Sequence, residues 1–263
     1  MPDSAHKAVV QEAFTRQAEA YAVLPTVADP ARIARLVEAI APAPESRVLE
    51  VACGPGFLTL AFAQRCREVV GLDLTDAPLA IAERNRRERG LANVRFQRGD
   101  AERLPFTNGE FELVVCRFAL HHIEEPGRVL REMARVCRAQ GKVAVEDLVS
   151  SEHRTRGDYQ NQFERLRDPS HTRALAASEM LELFTAAGLE IERLYSGELV
   201  QNLERWLANS QTPPDRAAQV RALIDRDARE DLSSTRPYFE DGQWFFHHTT
   251  VAVVARRLGG SFD

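Results

Sequence analysis

Lysine is nearly missing from this chain: Lys7 and Lys142 are its only two, and every other base is arginine. An arginine-rich site or arginine-favouring codon usage would each produce that bias, so it carries no function. Cysteine is scarce as well. Cys53, Cys66, Cys116 and Cys137 form no C-x-x-C pair or other zinc spacing, which predicts reduced core thiols and no metal. No apolar run approaches the ~20 residues of a bilayer span, and the polar start Met1-Pro2-Asp3-Ser4 lacks the apolar centre of a signal peptide. The expectation is a soluble cytoplasmic protein without a membrane partner. Excess positive charge is absent too: 39 acids outnumber 34 bases, for a net charge of -5. A counterion-releasing grip on nucleic acid therefore has no global support, and no nucleic-acid partner is expected.

What the chain does have is core material. With 263 residues and 44% hydrophobic content it is long enough for one large domain, or one with a sizeable insertion. At this size folding buries about 70–75% of the extended surface. From 46 to 149, short apolar runs alternate with helical patterns, as in βαβ units around a mostly parallel sheet. Strands are predicted at 47–52, 68–73, 94–97, 111–116 and 142–148, and helices near 57–67, 77–89 and 126–138. Their continuous Val/Leu content suits strands covered on both faces. Gly141 reads as the left-handed stop of the last helix. Before the sheet, 5–22 and 30–41 form two amphipathic patterns, the second opened by Asp29 as N-cap and Pro30 as first helical residue. After it come a polar stretch at 151–176, a helix near 179–187 ended by Gly188, and a strand near 190–195. More helix follows at 201–230, with a helix-start signal at Thr212-Pro213-Pro214-Asp215, then a last strand near 248–256.

The sharpest local signal is Val48-Leu49-Glu50-Val51-Ala52-Cys53-Gly54-Pro55-Gly56. An apolar strand runs into two glycines and then into a helix, so backbone can approach a ligand without an intervening side chain. Alone such a turn is weak evidence, because tight packing also uses glycine there. Three acids strengthen it. Glu50 sits inside the strand, and a buried carboxylate in an apolar run needs a partner. Asp73 closes the second strand, seventeen positions after Gly56, near the ~20 expected for a carboxylate that accepts ribose hydroxyls. Gly99-Asp100-Ala101 follows the third strand. All three lie at the carboxyl edge of the sheet, where doubly wound folds bind ligands.

These residues, together with Glu102, Leu104-Pro105-Phe106 and the run 111–122, resemble the successive motifs of class I S-adenosylmethionine-dependent methyltransferases, in the ubiquinone/menaquinone-biosynthesis-like branch (methyltransferase type 11 domain). The likeness covers 46–149, and extends more loosely to the runs 14–21 and 167–173. Two positions depart from the pattern: Ala52 stands where glycine is common, and Thr59 replaces a third glycine. The resemblance implies a Rossmann-like, doubly wound seven-stranded α/β sheet, mostly parallel with an antiparallel last strand. It also implies N-terminal lid helices over 1–44 and a methyltransferase domain over 45–263, with cap segments at about 151–176 and 200–240.

By the same resemblance S-adenosyl-L-methionine is the cofactor. Glu50 would orient its amino group, and the chain at Ala52, Cys53, Gly54 and Gly56 would line its methionyl and ribose parts. Asp73 would hold the ribose diol, Leu74 would pack on adenine, and Asp100 with the Ala101 amide would read the adenine edge. Cys116 and Arg117 would flank the sulfonium, while Phe14 and Tyr21 would form a lid. His121 is the candidate general base, since imidazole titrates near neutral pH; a pocket-wall residue is the other reading. One of Glu146 and Asp147 should face the pocket, because strand neighbours point opposite ways, and Asp147 is favoured. His171 and Arg173 could bind an acceptor carbonyl or acid, or cap a helix and form surface pairs. Phe245, in the aromatic run 244–248, fits a pocket, a core or a subunit contact. The expected partner is a small organic acceptor such as a quinol, phenol or specialised metabolite, with the protein a monomer or homodimer. The competing functions are a cofactor-binding protein that does not transfer methyl, serving regulation or a reaction such as cyclisation, and an NAD-dependent oxidoreductase. Thr59 and the strand-end Glu50 speak against the latter.

Overall fold

The computed structural model describes residues 5–259. Five strands run parallel in the order β3-β2-β1-β4-β5: β1 (Arg47–Val51), β2 (Glu68–Asp73), β3 (Val94–Arg98), β4 (Phe111–Arg117) and β5 (Cys137–Ser150). β9 (Gln243–Arg257) joins β5 antiparallel, and β7 (Leu189–Asn202) pairs antiparallel with β9 at the outer edge. Two short strands, β6 (Leu175–Ala176) and β8 (Tyr238–Glu240), pair with β5 and β9. The doubly wound, mostly parallel sheet with an antiparallel last strand is thus as expected. Its order reverses between β1 and β4, which opens a crevice at the carboxyl ends of those strands.

Apolar side chains alternate to the two faces of each central strand, and helices cover both. On one face Ile33, Val37 and Ile40 of α3 (Pro30–Ile40) and Leu58 and Phe62 of α4 (Phe57–Ala63) pack on Val48, Val69, Val115 and Ala144. On the other, Val129, Leu130 and Met133 of α6 (Pro126–Val136) and Phe184 of α8 (Ala177–Ala186) pack on Leu49, Val51, Val114 and Val145. α3 starts as its residues dictate: the Asp29 carboxylate accepts the Ala31 amide at 2.9 Å, with Pro30 in the first turn. α1 (Ala5–Ala22) lies along α5 (Asp76–Glu88), with Ala18 and Ala22 against Ile81, and the short α2 (Pro25–Ala28) leads from it to α3.

Two readings need correction. α6 stops at Val136, and Gly141 lies within β5. The left-handed residue is Gln140, at φ 61°. Gly141 is there for space: a Cβ would meet Cys137 Sγ at 2.7 Å and the Arg138 and Glu112 carbonyls at 2.9 Å. The polar stretch after β5 contains a full helix, α7 (Arg154–Arg167). With α9 (Leu203–Asn209), α10 (Pro214–Glu230) and the start of β9 it closes a third apolar cluster, Phe163, Trp206, Leu207, Val220, Ile224 and Phe246. α10 begins at the expected Pro213-Pro214 signal. No described helix is long and apolar enough to cross a membrane.

Candidate active site

Glu50, the penultimate residue of β1, is almost fully buried, at 3% exposure. Among the described residues its one side-chain hydrogen-bond partner is Thr59, whose Oγ1 donates to Oε2 from the first turn of α4. Burial pushes the Glu50 carboxyl up to about 8; the Thr59 hydroxyl and the Arg117 charge oppose the rise without cancelling it. The turn that follows is fixed by Asp73: its Oδ2 accepts the Gly54 amide at 2.8 Å and its Oδ1 the Thr75 amide at 2.9 Å. Ala52 and Gly54 both have positive φ, 55° and 50°. A Cβ on Gly54 would meet nothing nearer than Tyr21 Cε1 at 3.8 Å, so that glycine holds open a gap between turn and lid. Gly56 does something else. Its Cβ would collide with Phe96 and Ala82 at 2.8–2.9 Å, so it is a packing glycine facing away from the cleft.

Three adjoining cavities fill the crevice. The first, of about 100 Å³, is lined by Ala52, Gly54, Asp73, Leu74, Asp100, Ala101 and Glu102 under α1. Lys7 of α1 reaches across to Asp100 at 2.6 Å and Glu102 at 2.5 Å, and Gln11 donates to the Leu74 carbonyl at 3.2 Å. The second, about 30 Å³, is bounded by Glu50, Ala52, Cys53, Gly54 and Arg117. The third, about 260 Å³, is lined by Phe14, Gln17, His121, His122, Arg167, His171, Trp206, Phe245 and His248, among others. Tyr21 and Phe118 line all three. Burial raises the Tyr21 phenol to about 12, so it stays neutral. Phe118 holds φ at 52°, a costly backbone state for an aromatic residue.

In the large cavity, His121 Nδ1 is hydrogen-bonded to Asp147 Oδ1. Asp147 also accepts the amides of Leu120 at 2.6 Å and Leu148 at 2.7 Å. The ring is thus held with Nδ1 toward the carboxylate, leaving Nε2 without a hydrogen-bond partner among the described residues. Burial works to lower the His121 pKa, yet the Asp147 charge and hydrogen bond outweigh it and the value is raised. His122 differs: burial and the neighbouring His121 charge pull it down to about 4, and its Nδ1 meets the Ser170 carbonyl at 3.0 Å. His171 is likewise held neutral by burial, with Nε2 donating to Asn161 Oδ1 at 2.8 Å. Among the described residues no group of three or more His, Cys, Asp or Glu is placed to hold a metal ion.

Several expected contacts are not made. Cys116 is sealed in the core at 1% exposure and lines none of the three cavities. Arg117 lines the small cavity, but its guanidinium is engaged by Glu146 at 2.8 Å and by the Val27 and Thr26 carbonyls at 3.0 and 3.1 Å. Asp147 stands behind His121 at 1% exposure and does not reach the wall, because β5 continues past it to Ser150. Arg173 is half exposed and paired with Glu179 at 2.8 Å. Conversely, Thr59, Lys7, Gln17, Arg167, Trp206 and His248 went unread as site residues. Three of them carried a usable sign: Arg167 opens the run 167–173, Gln17 lies in the run 14–21, and His248 closes the aromatic run 244–248.

These residues fit a nucleoside joined to an amino acid: a fixed carboxylate beside a cavity for the sugar and base, and a buried carboxyl with no ion pair among the described residues where an ammonium would sit. Strand-end acids around the crevice of a doubly wound sheet with an antiparallel last strand define a class I methyltransferase. The family model described as a methyltransferase domain matches residues 49–145. The chain is 32% identical over 207 residues to the uncharacterized methyltransferase YcgJ of Bacillus subtilis (strain 168), covering 79% of this chain and 82% of that one. The crystal structure of YcgJ superposes with a TM-score of 0.81 at 28% identity, over 87% of this chain and 98% of that one. The uncharacterized protein YafE of Escherichia coli (strain K12) is 34% identical over 199 residues, 76% of this chain and 95% of that one. A shorter match is to the ubiquinone/menaquinone biosynthesis C-methyltransferase UbiE of Idiomarina loihiensis, at 37% over 103 residues, 38% of this chain and 41% of that one. The chain belongs to the S-adenosylmethionine-dependent methyltransferases, and S-adenosylmethionine is its cofactor.

Proposed function

We propose that the chain methylates a small organic acceptor held in the 260 Å³ cavity, with His121 as general base. The observation that carries this reading is that Tyr21 and Phe118 line both the cofactor cavities and an adjoining larger cavity containing an aspartate-backed histidine. When bound, S-adenosylmethionine supplies a methyl group already made electrophilic by its sulfonium. The chain's own work is to bind, align and exclude water, effects worth up to ~7–11 kcal/mol for a well-oriented pair. Glu50 binds the ammonium group, Asp73 the ribose hydroxyls, and Asp100 with the Ala101 amide the adenine edge. Phe14 and Tyr21, packed edge to face at 5.5 Å, close the lid and keep water out. His121 takes the acceptor's proton at Nε2, leaving the electron pair on the attacking atom, and Asp147 stabilises the resulting imidazolium. A concave cavity of about 260 Å³ bordered by α1, α7 and α9 suits a small molecule better than a macromolecular surface.

Label transfer from methyl-tritiated cofactor to low-mass compounds in a metabolite extract tests the proposal. His121→Ala should lower turnover about 10²- to 10⁴-fold, the usual size of a general-base contribution, with S-adenosylhomocysteine affinity unchanged. Asp147→Asn should also lower turnover and move the acidic limb of kcat to lower pH, because Asp147 is what raises the His121 pKa. Cofactor binding without any labelled product would defeat methyl transfer; full turnover in His121→Ala would remove only the base.

A further inference from the structure

Arg167, the last residue of α7, lines the large cavity with its guanidinium stacked over the Trp206 ring at 4.7 Å. Nε donates to the Trp206 carbonyl at 3.2 Å, and the remaining four N–H donors meet no hydrogen-bond partner among the described residues. No carboxylate of a described residue lies within ion-pair distance. The two acids that share the cavity are already committed. Asp168 accepts the Ser170 amide at 2.9 Å, the Ser170 hydroxyl at 2.6 Å and Gln17 Nε2 at 3.5 Å. Glu164 Oε1 lies 2.6 Å from His248 Nε2. A second arginine on the same wall, the exposed Arg205 of α9, is also without an ion pair among the described residues.

A partly buried guanidinium with no carboxylate in hydrogen-bond reach leaves most of its donors unused, and its planar fork matches a carboxylate with two parallel hydrogen bonds. Resting on the methyl-transfer reading above, we infer that the acceptor is a small organic acid whose carboxylate is received by Arg167. Its flat or apolar body lies among Phe14, Tyr21, Trp206 and Phe245, and its nucleophilic group faces His121. Burial holds the Arg167 pKa below its usual value, although the charges of Asp168 and Glu164 act to raise it. The competing role for Arg167 is that of a distant counter-charge to Asp168 and Glu164, which needs no ligand at all.

Isothermal titration of the full chain saturated with S-adenosylhomocysteine separates the two, with 4-hydroxybenzoate and 3,4-dihydroxybenzoate as probes against their carboxamides. The acids should bind at least about tenfold tighter than the amides, the effect of one charge-assisted hydrogen-bond pair. In Arg167→Gln that preference should fall to about twofold or less while S-adenosylhomocysteine affinity stays as it was; Arg167→Lys should retain part of it. Equal binding of acid and amide by the unsubstituted chain overturns the inference, as does an absence of binding by either acid at millimolar concentration. So does a preference that survives in Arg167→Gln. The first two readouts need no variant, so an unstable Arg167→Gln does not shelter the claim. Failure of S-adenosylhomocysteine itself to bind brings down the methyl-transfer reading instead.

Discussion

Glu50 shows how a residue can be legible while its partner is not. A carboxylate inside an apolar strand announces itself, because nothing but a ligand or a hidden partner repays its burial. Thr59 stands in the family's glycine position and reads only as a departure; in the fold it is the hydroxyl that orients Glu50. The Glu50 carboxyl titrates near 8 instead of 4.5, so the folded chain retains a proton that the unfolded chain releases. Stability contributed by the neutral form is therefore lost as pH rises from about 4.5 to about 8. Binding an ammonium group needs the carboxylate, so S-adenosylhomocysteine should release a proton on binding below pH 8, and its affinity should rise with pH and level off above it. Titrations in buffers of different ionisation enthalpy measure this directly. Glu50→Gln should abolish the proton release and weaken binding, yet raise the melting temperature of the unliganded protein at pH 8. A less stable Glu50→Gln would contradict the assignment. Asp147 carries a related lesson: strand alternation set Glu146 and Asp147 on opposite sides, but which of the two met a histidine and which an arginine came from the packing of β4 and α3.

At the level of elements, the helices with an apolar stripe and a start signal were readable, whereas α7 was not. Its buried face includes Gln160, Asn161 and Glu164, polar groups that hydrophobic periodicity cannot register. The trace left in the sequence is the spacing Tyr159, Phe163 and Leu166, all in the third apolar cluster. β7 was foreseen as a short strand because most of it is exposed and its register shifts beside Ile191. The end of α6 was misread for a different reason: glycine after a helical pattern serves left-handed caps and tight contacts alike. Here the contact decides, so Gly141→Ala must push backbone carbonyls as well as a thiol aside. A loss of about 1–3 kcal/mol is expected, typical of overpacking a tight site. Urea unfolding reads it as a lower midpoint at unchanged slope; an unchanged midpoint would mean that the strand simply shifts.

For the whole molecule the test is linkage. A ligand that binds only the folded state at a hundred times its Kd adds about 2.7 kcal/mol, so saturating S-adenosylhomocysteine should raise the melting temperature by several degrees. NADH should leave it unchanged, since Thr59 fills the position of the third dinucleotide glycine. A shift with NADH and none with S-adenosylhomocysteine would reverse the assignment. The sequence by itself determined the mostly parallel sheet and the acids at its carboxyl edge. Those rest on contiguous signals: apolar runs, glycine turns, and acids at strand ends that the parallel topology brings to one edge. Only the tertiary structure decided the large cavity beside them. Its wall is assembled from α1, the loop after β4, α7, α9 and β9, segments as far apart in sequence as Phe14 and His248, and its polar residues acquire meaning from what they share the cavity with. No local pattern records that Arg167 and the histidine that Asp147 holds line one cavity.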